Sequence, residues 1–135
     1  MAEGLPCLNT PEELVLYSID GREEREDVSS SDEQFHGYPI LGKLQVKQAT
    51  ARAAIIAAIK GGVAQSDGSA AACFWPRHGI HVVENGESAD YVICFECSQM
   101  AIYHRENKDS APTTSYPQSV LDGYLEGAGI PLAPK

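Results

Sequence analysis

The sequence predicts an α+β domain: an antiparallel meander sheet of about five to six strands with two helices packed on one face. Three observations carry this. Short runs rich in β-branched and aromatic residues cluster in the second half, an alanine-rich segment of helical periodicity precedes them, and a second amphipathic segment follows. The order is ββαββββα, in a single domain over residues 1–135.

Leu14 to Ile19 mixes β-branched, aromatic and aliphatic residues and reads as the first strand, ended by the turn signal Asp20-Gly21. From Arg22 to Gln34 the residues are Glu, Asp, Ser and Arg with Val28 the lone apolar one, which predicts a flexible acidic loop at about 21–34. Ile40 to Lys47 partly alternates and reads as the second strand. Gln48 to Val63 predicts a helix, because Ala51, Ala54, Ile55, Ala58, Ile59 and Val63 recur at three- and four-residue spacing. Gly61-Gly62 is expected to end it.

Four strands follow: Ala70 to Trp75, Gly79 to Val83, Ala89 to Phe95 and Ser98 to His104. Pro76 to His78 turns the first corner, and Asn85-Gly86 is a strong hairpin signal for the second. The junction at Glu96-Cys97 lacks a turn residue, so a bend or bulge is expected there rather than a reversal. Arg105 to Thr114 reads as a polar loop. Pro117 suits a first helical turn, and Val120, Leu121, Tyr124, Leu125 and Ala128 form the apolar stripe of a closing helix.

Composition excludes several functions. The net charge is −9, from 19 acidic and 10 basic residues, and no basic stripe is visible to neutralise phosphates. No nucleic-acid partner is expected, and the same charge argues against an anionic membrane surface. Nor is there a run of about 18 apolar residues to span a bilayer. Met1 to Cys7 has neither a basic nor an apolar signal region, so the expectation as written is a soluble cytoplasmic chain. An exported mature form would read the same way. A protein partner, or a homodimer through exposed sheet edges, stays open.

Chemistry concentrates in one cluster: Cys73, His78, Cys94 and Cys97, spaced C-x4-H-x15-C-x2-C. Three thiolates and an imidazole suit tetrahedral zinc, which makes zinc the candidate cofactor. If a loop from Asn85 to Ser88 joins Glu84 to Ala89, Gly79 faces Cys94 and His78 faces Phe95. Against a ready-made site stands strand parity, since residues three apart point to opposite faces unless the backbone bulges. Buried structural thiols, a metal site and a disulfide therefore all remain as readings, with parity favouring the first. A thiol enzyme pairing Cys73 or Cys94 with His78 and Glu96 or Asp90 can be drawn. The plainer reading has His78 end a hairpin with its ring exposed. The turn also offers a binding determinant, Trp75, Arg77 and His78, residue types suited to gripping a partner or an anion. Equally, Trp75 could be core and Arg77 could pair with a carboxylate. His81 is expected opposite Asp90 or Val92; His36 and His104 carry no pattern. Glycine-rich phosphate loops and hydrolase motifs are absent from the sequence.

At Cys73 to Gly79 and Tyr91 to Cys97 the chain resembles an uncharacterised bacterial protein family with the pattern C-F-x-P-R-H-G followed by I-C-F-E-C. The resemblance runs from about Phe35 to the C-terminus. It implies one domain and brings no known activity. Trp75 stands where the pattern often has a smaller polar residue.

The leading expectation is thus a small non-enzymatic binding or interaction domain. Its rival is a zinc or thiol-dependent enzyme built on the cysteine cluster.

Overall fold

A computed structural model describes residues 5–21, 34–69 and 75–133. Most of the predicted acidic loop, Cys73 and all but the last residue of the predicted strand from Ala70 lie outside these residues, and Trp75 itself is not in a strand.

Alternation in β1 (Glu13–Ile19) sends Leu14 and Leu16 to one face of the sheet and Val15 and Tyr17 to the other. On one side it pairs antiparallel with β3 (Tyr38–Gln45), and on the other with β4 (His78–Glu84). The chain reaches β4 from β3 through α1 (Ala49–Ala64), so the helix crosses one sheet face while β1 lies between the strands it connects. From β4 onward the sheet is a meander through β5 (Glu87–Cys94), β6 (Gln99–His104) and β7 (Asn107–Pro112). With β2 (Gln34–Phe35) the sheet has, among the described residues, seven strands in the order β2-β3-β1-β4-β5-β6-β7 and curls into a half-barrel.

The α+β class holds, but the sheet is larger than expected and the element order is βββαββββα. The differences trace to turns with weak sequence signals. Arg105-Glu106 joins His104 to Asn107 in a two-residue loop with Arg105 at φ 58°. The supposed polar loop is therefore half hairpin, and β7 is a polar edge strand with Pro112 at its end, where a missing N–H costs little. Cys94 pairs with Gln99, so the chain does reverse across Phe95 to Ser98; the Ser98 N–H bonds the Phe95 carbonyl at 3.3 Å, and Ser98 takes the left-handed conformation at φ 56°. His36 and Gly37, both left-handed, make the tight β2–β3 turn.

Asn85-Gly86 behaves as predicted, but more tightly. Both residues have positive φ, and Glu84 pairs with Glu87 rather than Ala89. The register moves by two residues, so His78 opposes Ile93 and Gly79 opposes Val92, not Phe95 and Cys94.

Both helices pack on the face carrying Leu14, Leu16, Ile80, Val82, Tyr91 and Ile93, all at most 1 % exposed. In α1 the buried residues are Ile55, Ile56, Ala58, Ile59, Gly62 and Val63. Gly61-Gly62 does not end this helix. A Cβ at Gly62 would stand 2.7 Å from Thr113 Oγ1 and from the Pro117 ring, so the glycine admits the start of α2 (Gln118–Gly127) against α1. The opposite face has its own small core of Ile19, Phe35, Tyr38, Val92 and Ala101, because the β2–β3 turn folds back over β1 and β4. Phe35 stacks on Tyr17 with centroids 4.4 Å apart and lies over Gly79, where a Cβ would be 2.5 Å from its ring.

Candidate functional site

Each residue of the segment from Trp75 to Arg77, just before β4, is tied down except for one side chain. The Cys94 thiol donates to the Trp75 carbonyl at 3.4 Å. Pro76 packs so closely on Gly21 that a Cβ there would lie 2.0 Å from the Pro76 oxygen. The Arg77 carbonyl accepts the Ile19 N–H at 3.0 Å, and its guanidinium pairs with Glu96 at 2.5 Å. The Trp75 indole remains 56 % exposed.

His78 departs from the expectation of an exposed ring: it is 3 % exposed. A carboxylate can only accept, so the Nε2–H of His78 donates to Asp122 Oδ1 of α2, at 2.6 Å. Phe95 meets the ring edge-on at 5.2 Å between centroids. The Nδ1 atom is buried and has no hydrogen-bond partner among the described residues.

Cys94 and Cys97 are both buried. The turn between them resolves the parity problem by local hydrogen bonding, since the Cys97 N–H donates to Cys94 Sγ at 3.2 Å. Among the described residues, these two thiols and His78 do not form a group with all donor atoms within 4.8 Å, while Cys73, the fourth proposed ligand, lies outside them.

Two other clusters lie outside the residues singled out as candidate ligands. On the open sheet face Asp90 sits between two histidines: His36 Nε2 donates to one oxygen at 2.8 Å and His81 Nδ1 to the other at 2.5 Å. Burial would raise the Asp90 carboxyl, but the hydrogen bonds from His36 and His81 and their charges outweigh it and hold it below the usual carboxylate range. His36 lies parallel on Tyr103, centroids 3.8 Å apart, and Lys108 reaches over the same Tyr103 ring. A groove of about 410 Å³ runs alongside, lined by Tyr38, Gln99, Ala101, Tyr103, Lys108 and Ser110 among others. His81 opposite Asp90 follows from the tight Asn85-Gly86 turn; nothing local marks His36.

The second cluster joins the N-terminal segment to the far end of the sheet. Cys7, Glu87 and His104 bring a sulfur, a carboxylate oxygen and an imidazole nitrogen within 4.8 Å of one another. Residues 80 positions apart in the chain give no sequence signal for this.

No protein-family model matches this chain, and neither a curated protein nor a solved structure does. None of the helices among the described residues is long and apolar enough to cross a membrane.

Proposed function

We propose that this chain is a small non-enzymatic binding domain that engages a protein partner through Trp75. One observation carries the reading: a half-exposed indole stands on a segment whose backbone and following side chains are fixed by Cys94, Ile19, Glu96, Asp122 and Gly21. A large aromatic side chain on a rigid platform loses little conformational freedom on docking, and tryptophan is favoured at the centres of interfaces. Arg77 and Glu96 would form the polar rim; His78 acts from beneath, as a buried support.

Trp75 is the single tryptophan of the chain, so its emission reports docking directly. A photo-crosslinking residue placed at 75 in the source cells should capture a defined partner, absent when the same residue replaces exposed Glu126. The purified partner should then blue-shift the emission of the wild type and fail to bind Trp75→Ala. Equal capture from both positions would sink the proposal.

One observation favours a second reading, zinc held by Cys73, His78, Cys94 and Cys97. A histidine that ligates a metal usually gives its other nitrogen to a carboxylate, and His78 has that arrangement, with Nε2 on Asp122 and a buried Nδ1 that has no partner among the described residues. Intact mass of freshly purified protein, native and then denatured, tests it. A zinc-sized increment that disappears in His78→Ala supports the second reading; the bare, reduced mass removes it.

A further inference from the structure

We infer that Cys7, Glu87 and His104 form a surface site for one zinc-class divalent cation, with a fourth position open to water. The inference stands apart from the binding function proposed above.

The donor set comes first. Thiolate, imidazole and carboxylate are the three side-chain ligands zinc takes, and the thiolate discriminates against calcium and magnesium. All three donor atoms already lie within 4.8 Å of one another. His104 Nε2 and Glu87 Oε2 are 3.0 Å apart. Zinc–nitrogen and zinc–oxygen bonds of about 2.0–2.2 Å at a tetrahedral angle place such atoms roughly 3.3 Å apart, so a metal needs only a small separation of the pair. The other Glu87 oxygen is held by Arg105 at 2.5 Å and can stay there, orienting the carboxylate from behind as outer partners of metal ligands do.

Position is fixed by the fold. The buried Tyr91 donates its hydroxyl to the Pro6 carbonyl at 2.6 Å, and Leu8 is fully buried. Between these anchors Cys7 is held at φ 62°, a conformation that non-glycine residues seldom adopt. Its thiol points at the start of β5, donating to the Glu87 carbonyl at 3.6 Å. The segment is further stapled to the β4–β5 turn, where Glu84 accepts the N–H groups of Asn9 and Thr10 and Glu12 accepts that of Asn85. Glu84 and Glu12, which hold this segment, add to Glu87 a negative surround that suits a dication. Binding releases the thiol proton to solvent, and the proton that His104 Nε2 shares with Glu87 shifts to Nδ1 or is released, which frees the Nε2 lone pair to ligate. A shallow recess lined by Leu5, Pro6, His104 and Asp109 leaves the fourth position accessible.

The test is zinc titration of the reduced full chain, read by native mass spectrometry and by competition with a chelator. One zinc per chain is expected, weakened about tenfold or more by Cys7→Ser and by His104→Ala, and unchanged in Glu126→Gln, an exposed carboxylate outside the site. Cobalt should give a thiolate charge-transfer band that Cys7→Ser loses. Because Cys7→Ser is nearly isosteric, its urea midpoint should match the wild type. Failure of the reduced chain to bind zinc overturns the inference. So does zinc that survives Cys7→Ser but is lost in Cys97→Ser, which would assign the metal to the other cysteines.

Discussion

The imidazole of His78 and the carboxylate of Asp122 meet at 2.6 Å, joining the first residue of β4 to the middle of α2. This contact bridges the sheet and a helix over 44 residues of chain. It also separates the roles of two neighbours in sequence: Arg77 makes a surface ion pair with half-exposed Glu96, whereas His78 is sealed inside.

His78→Ala should therefore lower stability by about 2–4 kcal/mol, from a lost charge-assisted hydrogen bond and the space left beside Phe95. Arg77→Ala should cost less, about 1 kcal/mol, because its partner Glu96 is half-exposed and stays hydrated when the pair is lost. Urea unfolding of the two variants checks the contrast. Equal costs would mean that His78 does not clasp α2 to the sheet.

Trp75→Ala is expected to change folding free energy by less than about 0.5 kcal/mol, because the indole lies outside the core and the turn is held by other groups. A fall of several degrees in melting temperature would place the indole in the packing instead.

Asp90 sets a pH dependence. Its folded carboxyl is held below the ordinary value, so the stabilisation it contributes is present above the unfolded pKa of about 3.9 and is lost as pH falls through the folded value. Stability measured by urea midpoint should decline on acidification below about pH 4. Asp90→Asn should flatten that part of the profile and lower the plateau above it, since a neutral amide bonds His36 and His81 less strongly.

Gly62→Ala tests packing against propensity. In an unencumbered helix the change would stabilise by up to about 1 kcal/mol. Here the new methyl would lie 2.7 Å from Thr113 Oγ1 and the Pro117 ring, so a loss of about 1–3 kcal/mol is expected. Gly79→Ala should behave alike, since it pushes Phe35 off the sheet. Thermal melts give the sign directly, and a stabilised Gly62→Ala would show that α2 can shift.

Periodicity and turn chemistry were enough for much of the fold. The α1 segment is legible from its Ile and Ala spacing, and the β4–β5 hairpin from Asn85-Gly86, because these signals act over a few residues. Strand β7 was hidden because it is an exposed edge whose polar residues face water on both sides, and the turns at Ser98 and Arg105 because neither residue advertises a left-handed backbone.

The sequence by itself determined the α+β class, the acidic charge and the Asn85-Gly86 hairpin, all local properties. Only the tertiary structure decided which polar groups meet. His78 finds Asp122, Asp90 collects His36 and His81, and Cys7 reaches Glu87 and His104. Each pairing except His81 with Asp90 joins distant segments through sheet order, curl and helix docking, and such contacts leave no spacing rule in the chain.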